Sequence, residues 1–540
     1  MLENNKIIFE LEEKIKELEE KLQMETMVKK SEVILNKELS ERIEKQELHI
    51  ETLLKINEEY SNKISKLRVY TKHLLFDKLE RIKKIKHFGY NNLIDWKKDL
   101  KNILKVDYKD IDKTVIVVDT WKYGLHQYNE DFFPSQEVEL PSIGKVERIN
   151  HHYAHALSTW MFNKVDVSIV IDGFGELNKP WSVFKNNKLI EVGCCINNGS
   201  IGIEMAKAGR WLGVNADNEL DIAGKVMALQ SYGKIDKGYL NYLKDFNINN
   251  VNQIFSIDNW FNYKGDILLG KLDPLNWIKT VHYKMGFVLL DFFKKHCNKN
   301  DVISYTGGVA QNVIWNTILK NHFKNLIIPP HSPDDGLSLG AIEYLRIKNN
   351  LPKFKLKNFP YIQNDEAPIK NASNKTIKKA AKLLAGGKII GWYQGNGEIG
   401  PRALGNRSIL MNPEIKNGKY LINKIKKREN YRPFGASILK KHFKGKLNDS
   451  YMLYVQDVKN YESISHIDKT GRVHIVENEN KLFSSLLDEF YKVTKCPFLS
   501  NTSLNIKGEP IVGDIESALC FLKNSELDAL VVGDKIYTKK

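Results

Sequence analysis

The most informative stretch of this 540-residue chain is Gly400-Pro401-Arg402-Ala403-Leu404-Gly405-Asn406-Arg407-Ser408. Its two arginines present planar forks of N–H donors, which match phosphate or carboxylate oxygens two at a time. The glycines allow backbone N–H groups to approach an anion closely, and the proline suits a first helical turn, where the helix dipole favours negative charge. The stretch therefore predicts an anion-binding loop, and a solvated basic turn is the alternative.

Three later segments add the chemistry of a polyphosphate pocket. Residues 428–434 supply two more guanidiniums, and residues 466–474 place charges at alternating positions, as a strand lining a cleft does. Residues 501–510 form a turn that is rich in hydroxyl and amide groups. Any one of them also reads as an ordinary loop or a solvated strand. Together they supply many hydrogen-bond donors and few acceptors, which favours an anionic ligand.

The loop belongs to a second α/β unit, which we place at residues 375–540. A helix over residues 377–384 ends at Gly386-Gly387, and a strand over residues 388–393 leads into the arginines. Residues 346–374 contain three prolines and many lysines without a sustained period, so they are predicted to be a linker.

Residues 67–345 are predicted to form a first α/β unit. The apolar runs 115–119 and 167–172 each end in an aspartate, as buried strands do when they deliver a polar side chain at their C-terminal ends. Residues 302–306 and 326–330 are further strand candidates, and residues 276–295 are helical in pattern.

Histidines cluster in His151-His152-Tyr153-Ala154-His155. On a helix His151 and His155, at i and i+4, share a face and can bind one metal ion, while His152 points elsewhere. Asp172 and Asp334 would complete a shell suited to iron(II), zinc or manganese. A surface cluster without metal is the alternative.

Glycine-rich turns supply candidate nucleotide contacts in the same unit. Gly307 and Gly308 lie between a predicted strand and a helix, as a phosphate-binding loop does, with Asn312 following. Lys225 is a basic centre in a second glycine-punctuated segment. The chain has no GxxxxGK[ST] motif, so nucleotide chemistry of the P-loop kind is excluded.

Residues 1–66 are predicted to form a long charged helix. Leu11, Ile15, Leu18 and Leu22 have the 4-3-4 spacing of a coiled-coil seam, although later apolar positions are less regular. We expect this helix to mediate homo-oligomerisation or partner docking. A solvated, partly frayed helix is the alternative.

Bulk composition favours a cytoplasmic protein that binds anions. The net charge is +16, and residues 1–66 contribute −4 of it, so the remainder carries +20. Few aromatics interleave with the lysine clusters, so nucleic-acid binding is not favoured. The five cysteines form no CxxC pair, and neither a signal peptide nor a membrane span is recognisable.

Six motifs, in this order and spacing, resemble the NodU/CmcH carbamoyltransferase family over roughly residues 76–537. They are HHYAHA (151–156), DGFGE (172–176), GGVAQN (307–312), GEIGPRALGNRSIL (397–410), HIDKTGRVHIV (466–476) and NTSLNIKGEPIV (501–512). The resemblance implies an actin-like ATPase-type domain followed by a YrdC-like domain. It also implies transfer of a carbamoyl group from carbamoyl phosphate, through carbamoyl adenylate, to a hydroxyl-bearing acceptor, with ATP and its Mg²⁺.

By motif position, the resemblance assigns roles to residues of this chain. His151, His155, Asp172 and Asp334 would bind a divalent metal, with Fe(II) favoured and zinc or manganese as alternatives. Gly307, Gly308, Asn312, Lys225, Ser503 and Asn505 would contact the nucleotide. The carbamoyl phosphate and ATP pocket would be lined by Arg402, Arg407, Arg432 and Arg472, which we take as the catalytic set.

One departure from the family favours a second hypothesis. The strand and Gly-His-Asp-rich turn that usually open the family are not recognisable before residue 80, and the helix of residues 1–66 stands in their place. The chain would then be a coiled-coil scaffold or binding protein derived from a truncated, inactive carbamoyltransferase. Threonylcarbamoylation of tRNA is a third hypothesis, which the GPRALG segment disfavours.

Overall fold

Strands and helices alternate along the described part of the chain. The computed structural model describes residues 72–75, 78–81, 97–98, 101, 107–111, 113–117, 135–140, 144–173, 175, 179–194, 199–214, 216, 221–254, 273–353, 358–362, 370–458, 460–477 and 479–539. The predicted coiled-coil helix of residues 1–66 lies outside these ranges. Residues 67–540 form one compact unit, and we call its described residues up to 353 the N-terminal part and those from 370 the C-terminal part.

The N-terminal part contains ten strands and eight helices among its described residues. The strands are β1 (Lys72–Leu75), β2 (Lys78–Arg81), β3 (Val115–Ile116), β4 (Ser135–Leu140), β5 (Gly144–Ile149), β6 (Val167–Ile171), β7 (Trp181–Lys185), β8 (Lys188–Val192), β9 (Ile303–Thr306) and β10 (Leu326–Ile327). The helices are α1 (His151–Trp160), α2 (Ile201–Trp211), α3 (Ile222–Leu229), α4 (Lys237–Tyr242), α5 (Val251–Ile254), α6 (Pro274–His296), α7 (Val313–His322) and α8 (Leu337–Lys348).

A five-stranded sheet forms the centre of this part, in the order β10-β9-β6-β7-β8. The first three strands are parallel, and β7 and β8 are antiparallel additions. All five residues of β6 are buried, which explains its continuous apolar sequence. Because β6 and β9 are parallel neighbours, the residues that follow them, Asp172 and Gly307, reach the same edge of the sheet.

The C-terminal part is built on one eight-stranded mixed sheet in the order β14-β15-β13-β16-β12-β11-β17-β18. The strands are β11 (Ile390–Tyr393), β12 (Arg407–Met411), β13 (Gly435–Leu439), β14 (Val455–Asp457), β15 (Thr470–Val476), β16 (Phe498–Ser503), β17 (Ala529–Val532) and β18 (Lys535–Thr538). The helices are α9 (Asn374–Ala385), α10 (Gly418–Ile425), α11 (Lys481–Thr494) and α12 (Ile515–Asn524).

Helices cover both faces of this sheet. Apolar side chains of α9 and α11, such as Leu384 and Leu486, share one buried cluster with Trp392. Side chains of α10 and α12, such as Ile422 and Phe521, share another with Tyr393. Since Trp392 and Tyr393 are consecutive on β11, the two clusters lie on opposite faces.

The mixed α/β class is the predicted one, and several predicted elements are confirmed. The strand predicted at 167–172 is β6, and the helix predicted at 377–384 is α9. The strand predicted across 466–474 begins only at Thr470. Residues 466–469 turn instead, because Asp468 accepts hydrogen bonds from Thr470 and Lys469 adopts a left-handed φ of 65°.

The two parts are joined by direct packing. Leu453 and Tyr454, which precede β14, are buried in the main core of the N-terminal part. The amide of Asn316 donates to the Leu453 carbonyl at 3.1 Å, and the Val455 N–H donates to Thr317 Oγ1 at 2.9 Å. These contacts therefore hold the two parts against each other.

Candidate active site

Helix α1 presents two histidines to one point. Asn150 caps the helix by accepting a hydrogen bond from the Tyr153 N–H, which fixes where the first turn begins. His151 and His155 then lie one above the other, with their Nε2 atoms 3.2 Å apart. His152 points elsewhere, as predicted, and its Nδ1 lies 2.5 Å from Ser182 Oγ.

Two carboxylates meet the histidines. Asp172 Oδ2 lies 3.2 Å from His151 Nε2 and 3.1 Å from His155 Nε2. Asp334 Oδ1 lies 3.6 Å and 3.5 Å from the same two nitrogens. The four ligand atoms all lie within 4.8 Å of one another, so the structure brings the four predicted metal ligands into one cluster.

The electrostatics of the cluster suit a cation. Burial disfavours a charged His155, but its hydrogen bonds to Asp172 and Asp334 raise its pKa to about 9. The pKa of Asp172 is held well below its usual range, because hydrogen bonds from His151 and His155 outweigh burial. Two carboxylates this close repel each other unless positive charge lies between them. Two imidazole nitrogens and two carboxylate oxygens suit iron(II), zinc or manganese, so these residues fit a divalent metal.

The glycine turn supports this cluster rather than an open phosphate cradle. The Gly307 N–H donates to the Ser332 carbonyl, and the Gly308 N–H donates to Asp172 Oδ1 at 3.2 Å. Gly307 has a φ of +95°, and a Cβ there would lie 2.2 Å from the Ile171 carbonyl oxygen. The structure therefore does not support the prediction that these two N–H groups bind a phosphate, since both already donate to protein oxygens. Asn312 caps α7 and lines the cavity described next.

One cavity of about 470 Å³ connects this cluster with the C-terminal part. Asp172 and Asp334 line it, and so do six cationic side chains of the C-terminal part, namely Arg402, Lys426, Arg428, Arg432, Arg472 and Lys507. Its volume is in the usual range for small-molecule sites. Five of the predicted nucleotide-binding residues also line the cavity: Lys225, Gly308, Asn312, Ser503 and Asn505. The predicted residues Gly307 and Arg407 do not line it.

Arg402 is a half-buried cation whose charge is poorly compensated. Burial and the charges of Arg472 and Arg432 hold its pKa well below its usual range. Its Nε is buried and has no hydrogen-bond partner in the described part of the chain. Burial and Arg432 likewise lower the pKa of Arg472 to about 10. Mutually repelling guanidiniums in a closed space are stabilised by an anion, which is the ligand chemistry that the sequence predicted.

Lys426 and Arg428 belong to the same cation cluster, although neither was in the predicted catalytic set. Lys426 Nζ contacts four oxygens of Ser503 and Asn505 at 2.6–3.2 Å. Arg428 is held by Asn423 Oδ1 at 2.7 Å and lies over the Phe434 ring. Sequence analysis missed them because residues 424–428 contain four basic side chains, and the sequence alone does not show which of the four face the cavity.

Arg407 is a correction to the predicted pocket. Its guanidinium donates to the carbonyl oxygens of Gln394, Asn406 and Gly395 at 2.7–2.9 Å and stacks on the Tyr393 ring, 3.6 Å from its centroid. It does not line the cavity. Arg407 begins β12, and its side chain is held by backbone carbonyls at the two ends of the connection between β11 and β12.

The backbone of the arginine loop also differs from expectation. Buried Glu398 accepts hydrogen bonds from the N–H groups of Leu404, Asn406 and Arg407 through one oxygen, so these amides are not free to bind an anion. No helix begins at Pro401 in the described stretch between β11 and β12. The anion-binding capacity of the loop therefore comes from the Arg402 side chain.

Asp449 is the acidic neighbour of this cluster. Its carboxylate accepts backbone hydrogen bonds from Tyr451, Leu453 and Tyr454, which shapes the segment that joins the two parts. Burial nevertheless raises its pKa to about 6. It acts electrostatically on Arg402 and Arg472 and is not among the residues that line the cavity.

The fold and site define a two-part α/β protein with a cavity that is lined by residues of a candidate metal cluster and of a cation cluster. Family models match residues 57–342 as the carbamoyltransferase N-terminus and residues 381–539 as the carbamoyltransferase C-terminus. The chain therefore belongs to the carbamoyltransferase family and is a transferase. The match begins earlier in the chain than residue 76, where recognisable motifs were expected to start.

Individual relatives agree with the family. Nodulation protein NolO of Bradyrhizobium diazoefficiens is 28% identical over 73% of this chain and 79% of its own length. The 3'-hydroxymethylcephem-O-carbamoyltransferase of Amycolatopsis lactamdurans is 30% identical over 43% of this chain and 48% of its own. Among solved structures, component A of (R)-2-hydroxyglutaryl-CoA dehydratase from Acidaminococcus fermentans is 14% identical, with a TM-score of 0.32 over 52% of this chain and 96% of that one.

Within the ranges that the structure covers, no helix is both long and apolar enough to cross a membrane.

Proposed function

We propose that this protein is an ATP-dependent O-carbamoyltransferase that uses carbamoyl phosphate and works through carbamoyl adenylate. The N-terminal part would have the actin-like fold and the C-terminal part the YrdC-like fold that the family resemblance implies. One observation carries the proposal: a single cavity joins a cluster of cations to a cluster of metal-type ligands. The first suits phosphates, and the second suits activation of a carbonyl or a hydroxyl group.

The first step would take place at the cation cluster. Carbamoyl phosphate reacts with water to give carbamate and phosphate. A carbamate oxygen then attacks the α-phosphorus of ATP, the bond to the β-phosphate oxygen breaks, and pyrophosphate leaves. Arg402, Arg432 and Arg472 would bind the phosphate oxygens and stabilise the charge that develops on them. Ser503 and Asn505, already tied to Lys426, would hold that lysine towards the same ligand.

The second step would take place at the other end of the cavity. An acceptor hydroxyl oxygen attacks the carbamoyl carbon, the bond from that carbon to the phosphate oxygen breaks, AMP leaves, and the hydroxyl proton passes to solvent. A divalent metal would be held by His151, His155, Asp172 and Asp334. We propose that this metal is Fe(II). When bound, such an ion polarises the carbamoyl carbonyl or lowers the pKa of the acceptor hydroxyl.

Enclosure explains why both sites share one cavity. Carbamate and its adenylate react with water, so an intermediate that never leaves the protein is protected. The acceptor would be a hydroxyl of a sugar, a nucleoside or nucleotide, or a natural product. The named relative that acts on a hydroxymethylcephem supports an oxygen acceptor of this kind.

The proposal is tested by mixing the purified protein with ATP and carbamoyl phosphate and measuring pyrophosphate. We expect pyrophosphate release that depends on carbamoyl phosphate and is absent when acetyl phosphate replaces it. An inactive scaffold, the alternative that the family-atypical N-terminus suggests, would release none. Equal release with and without carbamoyl phosphate would also contradict the proposal.

A further inference from the structure

A carboxylate ties the two parts together beside the cavity. Glu429 Oε1 lies 2.5 Å from Lys225 Nζ on α3 of the N-terminal part. Its Oε2 lies 3.5 Å from Arg432 Nη1 in the C-terminal part. The Lys225 side chain is only 3% exposed, whereas that of Glu429 is 29% exposed. One side chain therefore holds a cation from each part.

The three residues differ in how they face the cavity. Lys225 and Arg432 line it, and Glu429 does not. Glu429 instead lines a separate surface groove, which it shares with Arg428. Glu429 is thus placed to act on a ligand only through its two cationic partners.

The positive charge around Lys225 and Arg432 explains why a carboxylate stabilises the structure between them. Burial, and after it the charge of neighbouring cations, lowers the pKa of Lys426 and of Arg428, and Arg432 is one of those cations for both residues. Lys225 would add a further ammonium to this region from the opposite wall. A carboxylate between Lys225 and Arg432 offsets that repulsion and fixes the ammonium in place.

We propose that Glu429 is a positioning residue for carbamoyl transfer, which keeps Lys225 of the N-terminal part against the cation cluster of the C-terminal part. The ammonium then remains on the adenylate phosphate while the carbamoyl group reaches the histidine–aspartate cluster. This inference rests on the proposed function. Glu429 itself does not line the cavity, so it would be needed to retain the intermediate and not to make it.

The test compares Glu429→Gln, Glu429→Asp and the wild type with ATP and carbamoyl phosphate and without an acceptor. Pyrophosphate measures adenylate formation, and rapid filtration separates carbamoyl adenylate that is bound from that which is released. Glu526→Gln is the matched control, because Glu526 pairs with Lys424 at 2.8 Å on the exposed surface and within the C-terminal part alone.

We expect Glu429→Gln to form pyrophosphate at about the wild-type rate and to release roughly tenfold more of its carbamoyl adenylate, because truncating one partner of a partly buried charge pair acts mainly on dissociation. Glu429→Asp keeps the charge and should fall between Glu429→Gln and the wild type. Glu526→Gln should match the wild type. A purely structural defect would lower pyrophosphate formation as well.

Three results would overturn the inference. Unchanged release from Glu429→Gln would show that the bridge does not retain the adenylate. Loss of pyrophosphate formation in Glu429→Gln would show that the residue supports the fold or adenylation instead of retaining the adenylate. If the wild type forms no pyrophosphate, the proposed function itself fails, and this inference fails with it.

Discussion

A Cβ atom on Gly400 would lie 2.1 Å from the carbonyl oxygen of Pro330. The loop that carries Arg402 therefore rests directly on the backbone that leads to Asp334. Each residue is only a few positions from a different cluster of the candidate site. The contact fixes the spacing between the cation cluster and the histidine–aspartate cluster, and it requires a residue without a side chain.

Replacing Gly400 with alanine should lower the free energy of unfolding by roughly 3–4 kcal/mol, because a φ of +95° strains alanine and its Cβ would clash with Pro330. Gly387→Ala is the matched control, since Gly387 has a φ of +83° and nothing within 4 Å of its Cβ position. It should lose only about 1–2 kcal/mol, the strain part alone. Urea unfolding measures both, and equal losses would contradict the contact.

Replacing Arg402 with methionine should stabilise the ligand-free protein while it abolishes adenylation. The guanidinium is buried, repelled by Arg472 and Arg432, and unpartnered at Nε in the described chain, so an apolar side chain of similar length should raise the free energy of unfolding by about 1–3 kcal/mol. Pyrophosphate release should fall by at least about 100-fold, with metal content unchanged. Retained adenylation would refute its place in the pocket.

Arg407→Met should give the opposite pattern to Arg402→Met. It removes the donor that three carbonyl oxygens share and takes the cation from the Tyr393 ring, so the free energy of unfolding should fall by about 2–4 kcal/mol. Any loss of pyrophosphate release should follow the loss of folded protein. A stable Arg407→Met variant without adenylation would restore Arg407 to the catalytic set.

His155→Ala should remove the metal and stop transfer to an acceptor, because His155 contributes one of four convergent ligand atoms. Adenylate formation should continue, since His155 is not part of the cation cluster. Elemental analysis of the purified variant measures the metal. His322→Ala, which alters a histidine outside the cluster, should keep the wild-type metal content. Unaltered metal in His155→Ala would refute the ligand role.

Glu429 should make stability depend on pH in a defined window. Although burial opposes it, the hydrogen bond to Lys225 and the charge of Arg432 lower the pKa of Glu429 to about 2, from the ordinary 4.5, with Arg428 and Tyr431 as its other titratable neighbours. A lowered pKa adds stability that is present above pH 4.5 and is lost as the pH falls towards 2.

Glu429→Gln should therefore melt below the wild type at every pH above about 5, by an amount that corresponds to roughly 1–2 kcal/mol for a partly exposed pair. The difference should shrink as the pH falls below 4.5. Calorimetry from pH 7 to pH 3.5 measures it. A difference that grows on acidification would contradict the assigned direction.

Short-range sequence patterns predicted the family, the members of the candidate metal cluster and much of the local structure. The i, i+4 histidines, the aspartate at the end of an apolar strand and the family motifs depend on short-range spacing, which a chain fixes covalently. Periodicity likewise gave β6 and α9. These features can be predicted without knowledge of the tertiary packing, because helix and strand geometry alone decides which side chains share a face.

Tertiary structure alone decided which of several similar residues meet. Arg402 and Arg407 lie five positions apart in one motif, yet Arg402 lines the cavity and Arg407 binds backbone carbonyls of the connection between β11 and β12. Lys426 contacts oxygens of Ser503 and Asn505, and Glu429 contacts the ammonium of Lys225, and these partners lie far away in sequence. Such contacts are set by long-range packing and by the need to pair buried charges, and the linear pattern of residues encodes neither directly.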